Sequence, residues 1–143
     1  MDPTLDMVRR FMEETVPFNR YLGIRVASLE QGRVRLELPF RPELIGDPMR
    51  PALHGGVISS LLDTCGGASV WTRITPTDRV STIDLRVDYL RPGSSELLVA
   101  EARVLRIGHY VGVTEIKAFH PSAPNDLIAT GTGVYNIRRA ERS

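Results

Sequence analysis

Apolar and polar residues follow helical spacing in some segments of this chain and a period of two in others. Apolar residues recur at helical spacing after Asp2-Pro3, a typical N-cap followed by proline at the first helical position, and the pattern ends at Pro17. We predict an N-terminal helix over residues 1–16. Residues 18–23 predict a turn or a single helical turn.

Most of the remaining chain predicts β-strands, because apolar and polar residues alternate there with a period of two. The predicted strands cover residues 24–30, 33–40, 80–90, 97–107, 110–119 and 127–138. Gln31-Gly32 and Gly108-His109 mark hairpin turns between neighbouring strands. The segment 41–52 contains three prolines and a glycine, so we predict a loop there.

One long segment, residues 54–74, predicts a helix that is apolar on almost every side. Such a helix must be covered over most of its surface, and an antiparallel sheet curled around it satisfies that requirement. The separation of helices from strands is typical of an α+β domain. We predict a single domain over residues 1–143, with a polar tail at 139–143 that frays.

Asp63 stands out because it is a charged residue in the middle of this apolar helix. Desolvating an unpaired carboxylate costs several kcal/mol, so we interpret Asp63 as a residue with a chemical role. His54 lies nine positions earlier, which places the two side chains roughly 180° apart and ~13.5 Å along a helix. One chain cannot easily bring both to one substrate atom, so the hypothesis includes a symmetric dimer.

The composition is that of a soluble globular protein, with 42% hydrophobic and 24% charged residues. A formal net charge of +1 predicts no nucleic-acid partner, and no apolar run has the length of a membrane span. We see no signal peptide and expect a cytoplasmic location. Arginine far outnumbers lysine, which would suit a phosphorylated carrier such as coenzyme A but more often reflects genome composition.

No pattern in the sequence predicts a metal site or a nucleophilic cysteine. Cys65 is the only cysteine, so an intrachain disulfide is excluded, and we expect it to be a small buried residue. His109 and His120 fall at a predicted turn and a strand end, where we expect surface histidines. A serine hydrolase is disfavoured because no Gly-x-Ser-x-Gly motif occurs.

Three motifs together carry a family resemblance. They are His54-Gly55-Gly56, Asp63 nine positions after the histidine, and the strand Thr82-Ile83-Asp84-Leu85-Arg86-Val87-Asp88-Tyr89-Leu90-Arg91-Pro92. From about residue 22 to 135 the chain resembles the hotdog-fold acyl-CoA thioesterases of the PaaI-like, phenylacetate-degradation branch. The resemblance implies a hotdog fold, homodimers paired edge to edge, commonly a homotetramer, and acyl-CoA hydrolysis at the dimer interface without metal or cofactor.

The resemblance also implies roles for individual residues. Gly55 would supply the backbone amide that polarises the thioester carbonyl, and Asp63 of the other subunit would be the base or the nucleophile. Thr82, with Ser81 beside it, matches the strand hydroxyl that positions the water or the carboxylate. Apart from the resemblance, Gly55 and Gly56 permit close backbone approach, and free amides at a helix start carry partial positive charge that suits a developing oxyanion.

Two points at this site stay open. His54 either donates a hydrogen bond to the carbonyl or caps the loop. Relatives often carry Asn or Gln six residues before this histidine, whereas this chain has Pro48, with Asp47 beside it. We therefore carry over no polar contact from that loop.

The predicted function is hydrolysis of an aromatic or medium-chain acyl-CoA. One alternative in the same fold is an acyl-thioester dehydratase or hydratase, which would pair a catalytic histidine with an acid. Another is a non-catalytic acyl-CoA binding module, in which Asp63 would serve packing alone.

Overall fold

A computed structural model of the chain describes residues 2–140. The helices are α1 Pro3–Arg10, α2 Pro17–Leu22 and α3 Gly55–Trp71, with a π-helical turn at Phe11–Thr15 and a 3-10 turn at Pro42–Leu44. The strands are β1 Arg25–Glu30, β2 Arg33–Leu38, β3 Ile45–Asp47, β4 Ala52–Leu53, β5 Arg79–Tyr89, β6 Leu98–Ile107, β7 Val111–Phe119 and β8 Ala129–Arg138.

Six strands form one antiparallel sheet in the order β1-β2-β6-β7-β8-β5. The long helix α3 lies against one face of this sheet, with Leu61, Leu62 and Cys65 fully buried between them. This is the arrangement that the sequence predicted, an α+β hotdog fold with an antiparallel sheet around a long central helix.

Gly66 lets α3 approach the sheet closely. A Cβ atom at this position would collide with the hydroxyl of Tyr135 and would lie 2.8 Å from Ile116 and 2.9 Å from the Thr114 hydroxyl. Only a residue without a side chain allows the helix to sit at this depth. The depth matters for the site because it fixes how far Asp63, one turn earlier, stands above the sheet.

The N-terminal segment differs in detail from the single predicted helix. Asp2 caps α1 as expected, since its Oδ1 accepts a hydrogen bond from the Thr4 amide at 2.8 Å. The α-helix ends at Arg10, however, and the chain continues as the π-helical turn. Helix α2 follows and ends at Gly23, whose φ of 83° lies in the left-handed region that favours glycine.

The predicted loop over residues 41–52 is more ordered than the density of prolines suggested. Strands β3 and β4 pair there as a small second sheet, in which Ile45 lies opposite Leu53. The backbone amide of His54 then donates to the Leu44 carbonyl at 2.8 Å. The loop is therefore fastened to the start of α3, and it holds the first turn of that helix in place.

The start of the predicted C-terminal tail is bound to the body of the protein. The Ala140 amide donates to Asp78 Oδ1 at 2.8 Å, and the Arg139 guanidinium lies 3.4 Å from Asp78 Oδ2. These contacts anchor the first two residues of the predicted tail, and residues 141–143 lie outside the described part of the chain. Within residues 2–140, no helix combines the length and the hydropathy needed to cross a membrane.

Candidate active site

Asp63 lies half-buried in the middle of α3, and neighbouring hydroxyl groups hold it. The Thr82 hydroxyl donates to Asp63 Oδ1 at 2.8 Å, and the Tyr135 hydroxyl donates to the Asp63 backbone carbonyl at 3.0 Å. Burial, followed by the charge of Asp63, raises the pKa of Tyr135, which keeps this hydroxyl a donor. In the part of the chain described here, no basic side chain forms an ion pair with Asp63, so its charge is oriented without being neutralised.

A β-bulge brings Thr82 to this position. Thr82 lies opposite Tyr135 and Asp84 lies opposite Val134, so Ile83 is an extra residue in β5. Without the bulge, strict alternation would put Thr82 on the same face as Asp84, away from the helix. Because neighbouring side chains in a strand alternate, Ser81 points to the face opposite Thr82, and the structure does not bring it to Asp63.

Asp63 opens onto a cavity of about 420 Å³ whose walls are largely apolar. Its apolar lining residues are Phe11, Met12, Val16, Ala68, Trp71 and Val80. The first three come from the N-terminal segment, which carries no motif that would have marked it as part of a site. A carboxylate beside an apolar cavity of this size can act on a bound organic group that is shielded from bulk water.

The first turn of α3 presents one free backbone amide. His54 is the N-cap, and its Nδ1 accepts a hydrogen bond from the Gly56 amide at 2.8 Å. An accepting Nδ1 places the proton of a neutral imidazole on Nε2, which remains a possible donor. Among residues 2–140 the Gly55 amide donates to no protein acceptor. Of the two predicted glycine amides, the structure therefore leaves only that of Gly55 available to a substrate.

Tyr89 also contacts this turn, although we predicted no role for it from the sequence. Its hydroxyl donates to the Gly55 carbonyl at 2.9 Å. A signal was present, because alternation in β5 places Tyr89 on the same face as Leu85 and Val87, towards α3. The phenol fastens the end of β5 to the start of the helix.

The Gly55 turn opens onto a second cavity, of about 530 Å³, which Arg50 and Arg91 also line. Asp47 lies there too, and it has a defined role in the loop. It accepts a hydrogen bond from the Met49 amide at 2.9 Å and pairs with Arg50 at 3.0 Å. The Met49 amide, followed by Arg50, lowers the pKa of the Asp47 carboxyl.

The two cavities share no lining residue. Within one chain, the free amide of Gly55 and the carboxylate of Asp63 therefore face different spaces. The predicted site residues form two groups, with His54, Gly55 and Gly56 in one, and Asp63 and Thr82 in the other.

Among residues 2–140, strand β5 is an edge of the main sheet and hydrogen-bonds to one neighbour, β8. It is 11 residues long, and Ile83 is 57% exposed along it. A long edge with apolar side chains is typical of a surface that pairs with another strand. The strand that orients Asp63 is thus also the strand with an unpaired edge.

The remaining candidates are structural. Cys65 is buried, as predicted, and burial raises the pKa of its thiol. The prediction of a surface position is wrong for His120, which is 5% exposed and is bound by the Ser94 amide and the Leu97 carbonyl. Over residues 2–140, no group of three or more His, Cys, Asp or Glu side chains is arranged to hold a metal ion.

Comparison with known proteins gives consistent matches. Residues 51–123 match the thioesterase superfamily. The medium/long-chain acyl-CoA thioesterase YigI of Escherichia coli is 32% identical to the chain, over 95% of each protein. A solved structure from Shewanella oneidensis, related to the thioesterase superfamily, has a TM-score of 0.82 at 31% identity and covers 93% of this chain and 94% of that one. The E. coli PaaI protein from the phenylacetic acid degradation operon shares the fold, with a TM-score of 0.83 at 22% identity over 96% of this chain and 94% of that one.

Proposed function

The chain belongs to the thioesterase superfamily, as its motifs predicted, and from this premise we propose that it hydrolyses acyl-CoA thioesters at a site completed by two copies of the chain. Asp63 of one copy acts on a thioester whose carbonyl oxygen accepts a hydrogen bond from Gly55 of the other. One observation carries the proposal: the free amide and the oriented acid open onto separate cavities of the same chain.

The edge strand β5 supports the pairing of two copies. Its outer backbone groups can hydrogen-bond to β5 of a second copy, which would make one continuous sheet with a two-fold axis at its centre. Such pairing would set the two α3 helices beside each other, each with its Asp63 facing the partner. We propose a homodimer on this basis, and two such dimers in a homotetramer.

The proposed chemistry is a hydrolysis in which the Gly55 amide stabilises negative charge on the carbonyl oxygen. If Asp63 is the base, it takes a proton from water while the water oxygen bonds to the carbonyl carbon. The C–S bond then breaks, and the coenzyme A sulfur leaves and takes up the proton. If Asp63 is the nucleophile, its own oxygen bonds to the carbonyl carbon and the C–S bond breaks, so that coenzyme A leaves as a thiolate. Water then cleaves the resulting anhydride, which releases the acid, restores the Asp63 carboxylate and supplies the proton that the thiolate takes up.

The substrate proposed is an acyl-CoA with an aromatic or medium-length acyl group. The apolar walls beside Asp63 suit such a group. Arg50 and Arg91 line the cavity beside Gly55 and pair with Asp47 and Asp126, and their guanidinium groups suit the phosphates of coenzyme A. The similar YigI is itself a medium/long-chain acyl-CoA thioesterase.

The decisive experiment mixes two inactive variants, Asp63→Asn and Gly55→Pro. Proline removes the amide proton at Gly55, and it is favoured at the first position of a helix. Each variant alone should be inactive. A mixed dimer holds one intact pair of groups, so a 1:1 mixture should regain about a quarter of wild-type activity.

Differently tagged copies of the two variants, co-expressed and purified as heterodimers, make this test quantitative. The matched control is a heterodimer of two differently tagged Asp63→Asn chains, which should stay inactive. A folded mixed heterodimer without activity would refute the sharing of the site between copies. Free thiol release is the readout, and enoyl-CoA hydration assayed in parallel tests the dehydratase alternative.

A further inference from the structure

The cavity beside Asp63 has a direction, because it runs along one face of α3. Asp63, Gly67 and Trp71 all line it, and they are four residues apart, so they occupy successive turns on the same side of the helix. At 1.5 Å per residue, Trp71 stands about 12 Å further along the helix axis than Asp63. The cavity therefore has an acid at one end and an indole at the other.

Small residues keep the space between these two ends open. Gly67 has no side chain and Ala68 has only a methyl group, and both line the cavity. A Cβ atom at Gly67 would meet its nearest neighbour, the Tyr135 ring, at 3.4 Å, so the position tolerates alanine. The free volume thus depends on Gly67 at the middle and on Trp71 at the end.

An aromatic pair forms the far wall. The rings of Phe11 and Trp71 meet edge to face, with centroids 4.8 Å apart and planes at 74°. Phe11 lies in the π-helical turn, so the N-terminal segment supports a residue of the central helix. Phe18, from the same segment, is 54% exposed and does not line the cavity.

Two polar side chains at the cavity margin, those of Asn19 and Asp78, are engaged by the protein, whereas the buried Trp71 Nε1 has no hydrogen-bond partner among residues 2–140. The Asn19 side-chain amide donates to the Met12 carbonyl at 3.1 Å, and Asp78 accepts from the Ala140 amide at 2.8 Å. The rings of Phe11 and Trp71 give the cavity an apolar wall at this end, and Arg79 also lines the cavity.

We propose that the Trp71 ring, supported by Phe11, is the end wall of the acyl pocket and sets the maximum length of the acyl group. This inference rests on the proposed function and deepens it, because it makes an apolar acyl group of limited length the preferred substrate. Trp71 and Phe11 are specificity-determining residues here, and neither touches the reacting atoms.

The test measures kcat/KM over a series of straight-chain acyl-CoA esters, from butanoyl-CoA to palmitoyl-CoA. Trp71→Ala should raise the ratio for palmitoyl-CoA over octanoyl-CoA by about tenfold or more, since each methylene in an apolar pocket alters discrimination by about that factor. Phe11→Ala should change the ratio in the same direction by less. Gly67→Ala should move the optimum towards shorter chains, and Phe18→Ala is the matched control that should leave the profile unchanged.

The outcomes separate this inference from the proposed function. Opposite shifts for Trp71→Ala and Gly67→Ala support it. Active variants whose chain-length profiles all match the wild type overturn it and leave the thioesterase proposal standing. Failure of the wild type to hydrolyse any ester overturns the proposed function itself. If Trp71→Ala does not fold, Phe11→Ala and Gly67→Ala decide the question, because alanine in place of glycine favours a helix.

Discussion

The two parts of α3 that carry the candidate chemistry lie in contrasting surroundings. The first turn is polar, with a capping histidine and the free Gly55 amide, and Arg50 and Arg91 line the adjoining cavity. The middle is mainly apolar, and its polar side chains beside the cavity are Thr64 and Asp63, the latter oriented by the Thr82 hydroxyl of β5. The helix thus supplies one free backbone donor at its start and an acid in its middle.

This difference explains why one chain is not a complete site under our proposal. Gly55 and Asp63 are eight residues apart, which is about 12 Å along a helix, and they face different cavities. A donor for an oxyanion must lie within hydrogen-bonding distance of the oxygen of the carbonyl group that reacts. That carbonyl is the one attacked by the Asp63 carboxylate or by the water that Asp63 activates. The Gly55 amide and the Asp63 carboxylate can therefore be removed separately, and the expected losses of kcat differ in size.

The largest effect should follow from removing the acid. Asp63→Asn keeps the shape and the hydrogen bond from Thr82, but it loses the charge that accepts a proton or attacks the carbonyl. We expect kcat to fall by about 100- to 10,000-fold, the range for a positioned acid or base. Thiol release from an acyl-CoA measures it, and circular dichroism checks the fold.

Asp84→Asn is the matched control for this variant, since Asp84 is exposed on the opposite face of the same strand. It should hydrolyse at the wild-type rate. An Asp63→Asn protein that retains most of its activity would favour the non-catalytic, packing role of this residue.

The second effect should come from the helix start. Gly55→Pro removes the amide proton while proline at the first helical position keeps the helix, so we expect about a 100- to 1,000-fold loss of kcat. Gly55→Ala is the control, because a Cβ atom there would contact Tyr89 at an ordinary 3.5 Å and the amide proton stays. Equal activity of the two variants would remove Gly55 from the proposed oxyanion site.

The repeating patterns of the sequence predicted the fold well, because they come from the burial of whole faces. The period of two identified the six strands of the main sheet, and the apolar run identified the central helix. Asp63 was visible as a candidate because an isolated charge interrupts that run. Gly66 could not be identified in the same way. The contact that requires a glycine there, with Tyr135, is known only once the helix is placed on the sheet.

The details of the site could not be predicted, because they depend on single departures from the pattern. The bulge at Ile83 left no trace, since an apolar residue there continues the alternation with Leu85 and Val87. The occupied amide of Gly56 depends on one rotamer of His54. His120 became buried through partners more than twenty residues away, Ser94 and Leu97.

A third, smaller effect should follow from releasing the carboxylate. Thr82→Val keeps the β-branched shape but removes the hydroxyl that donates to Asp63 Oδ1. Hydrogen bonds to charged groups contribute about 1.5–3 kcal/mol, so we expect at least about a tenfold fall in kcat. Thr132→Val, on the exposed face of β8, is the control and should have no effect. Unchanged kcat in Thr82→Val would show that the carboxylate needs no such orientation.

We expect the smallest effect from a variant that tests whether β5 also positions the first turn of α3. Tyr89→Phe removes the hydrogen bond to the Gly55 carbonyl, which fastens the first turn to the strand. A neutral hydrogen bond contributes about 1 kcal/mol net, so kcat/KM should fall by roughly fivefold. Tyr21→Phe is the matched control, because the Tyr21 hydroxyl has no protein partner within residues 2–140.

The comparison of thermal unfolding with kinetics decides what Tyr89 does. If Tyr89 positions the Gly55 amide, kcat falls in Tyr89→Phe while KM and the unfolding temperature change little, and the chain-length profile stays that of the wild type. If the unfolding temperature falls and kcat does not, the phenol only stabilises the junction of strand and helix. Tyr89 lies at one end of β5 and Thr82 near the other, so the first result would make this single strand the support of both halves of the site.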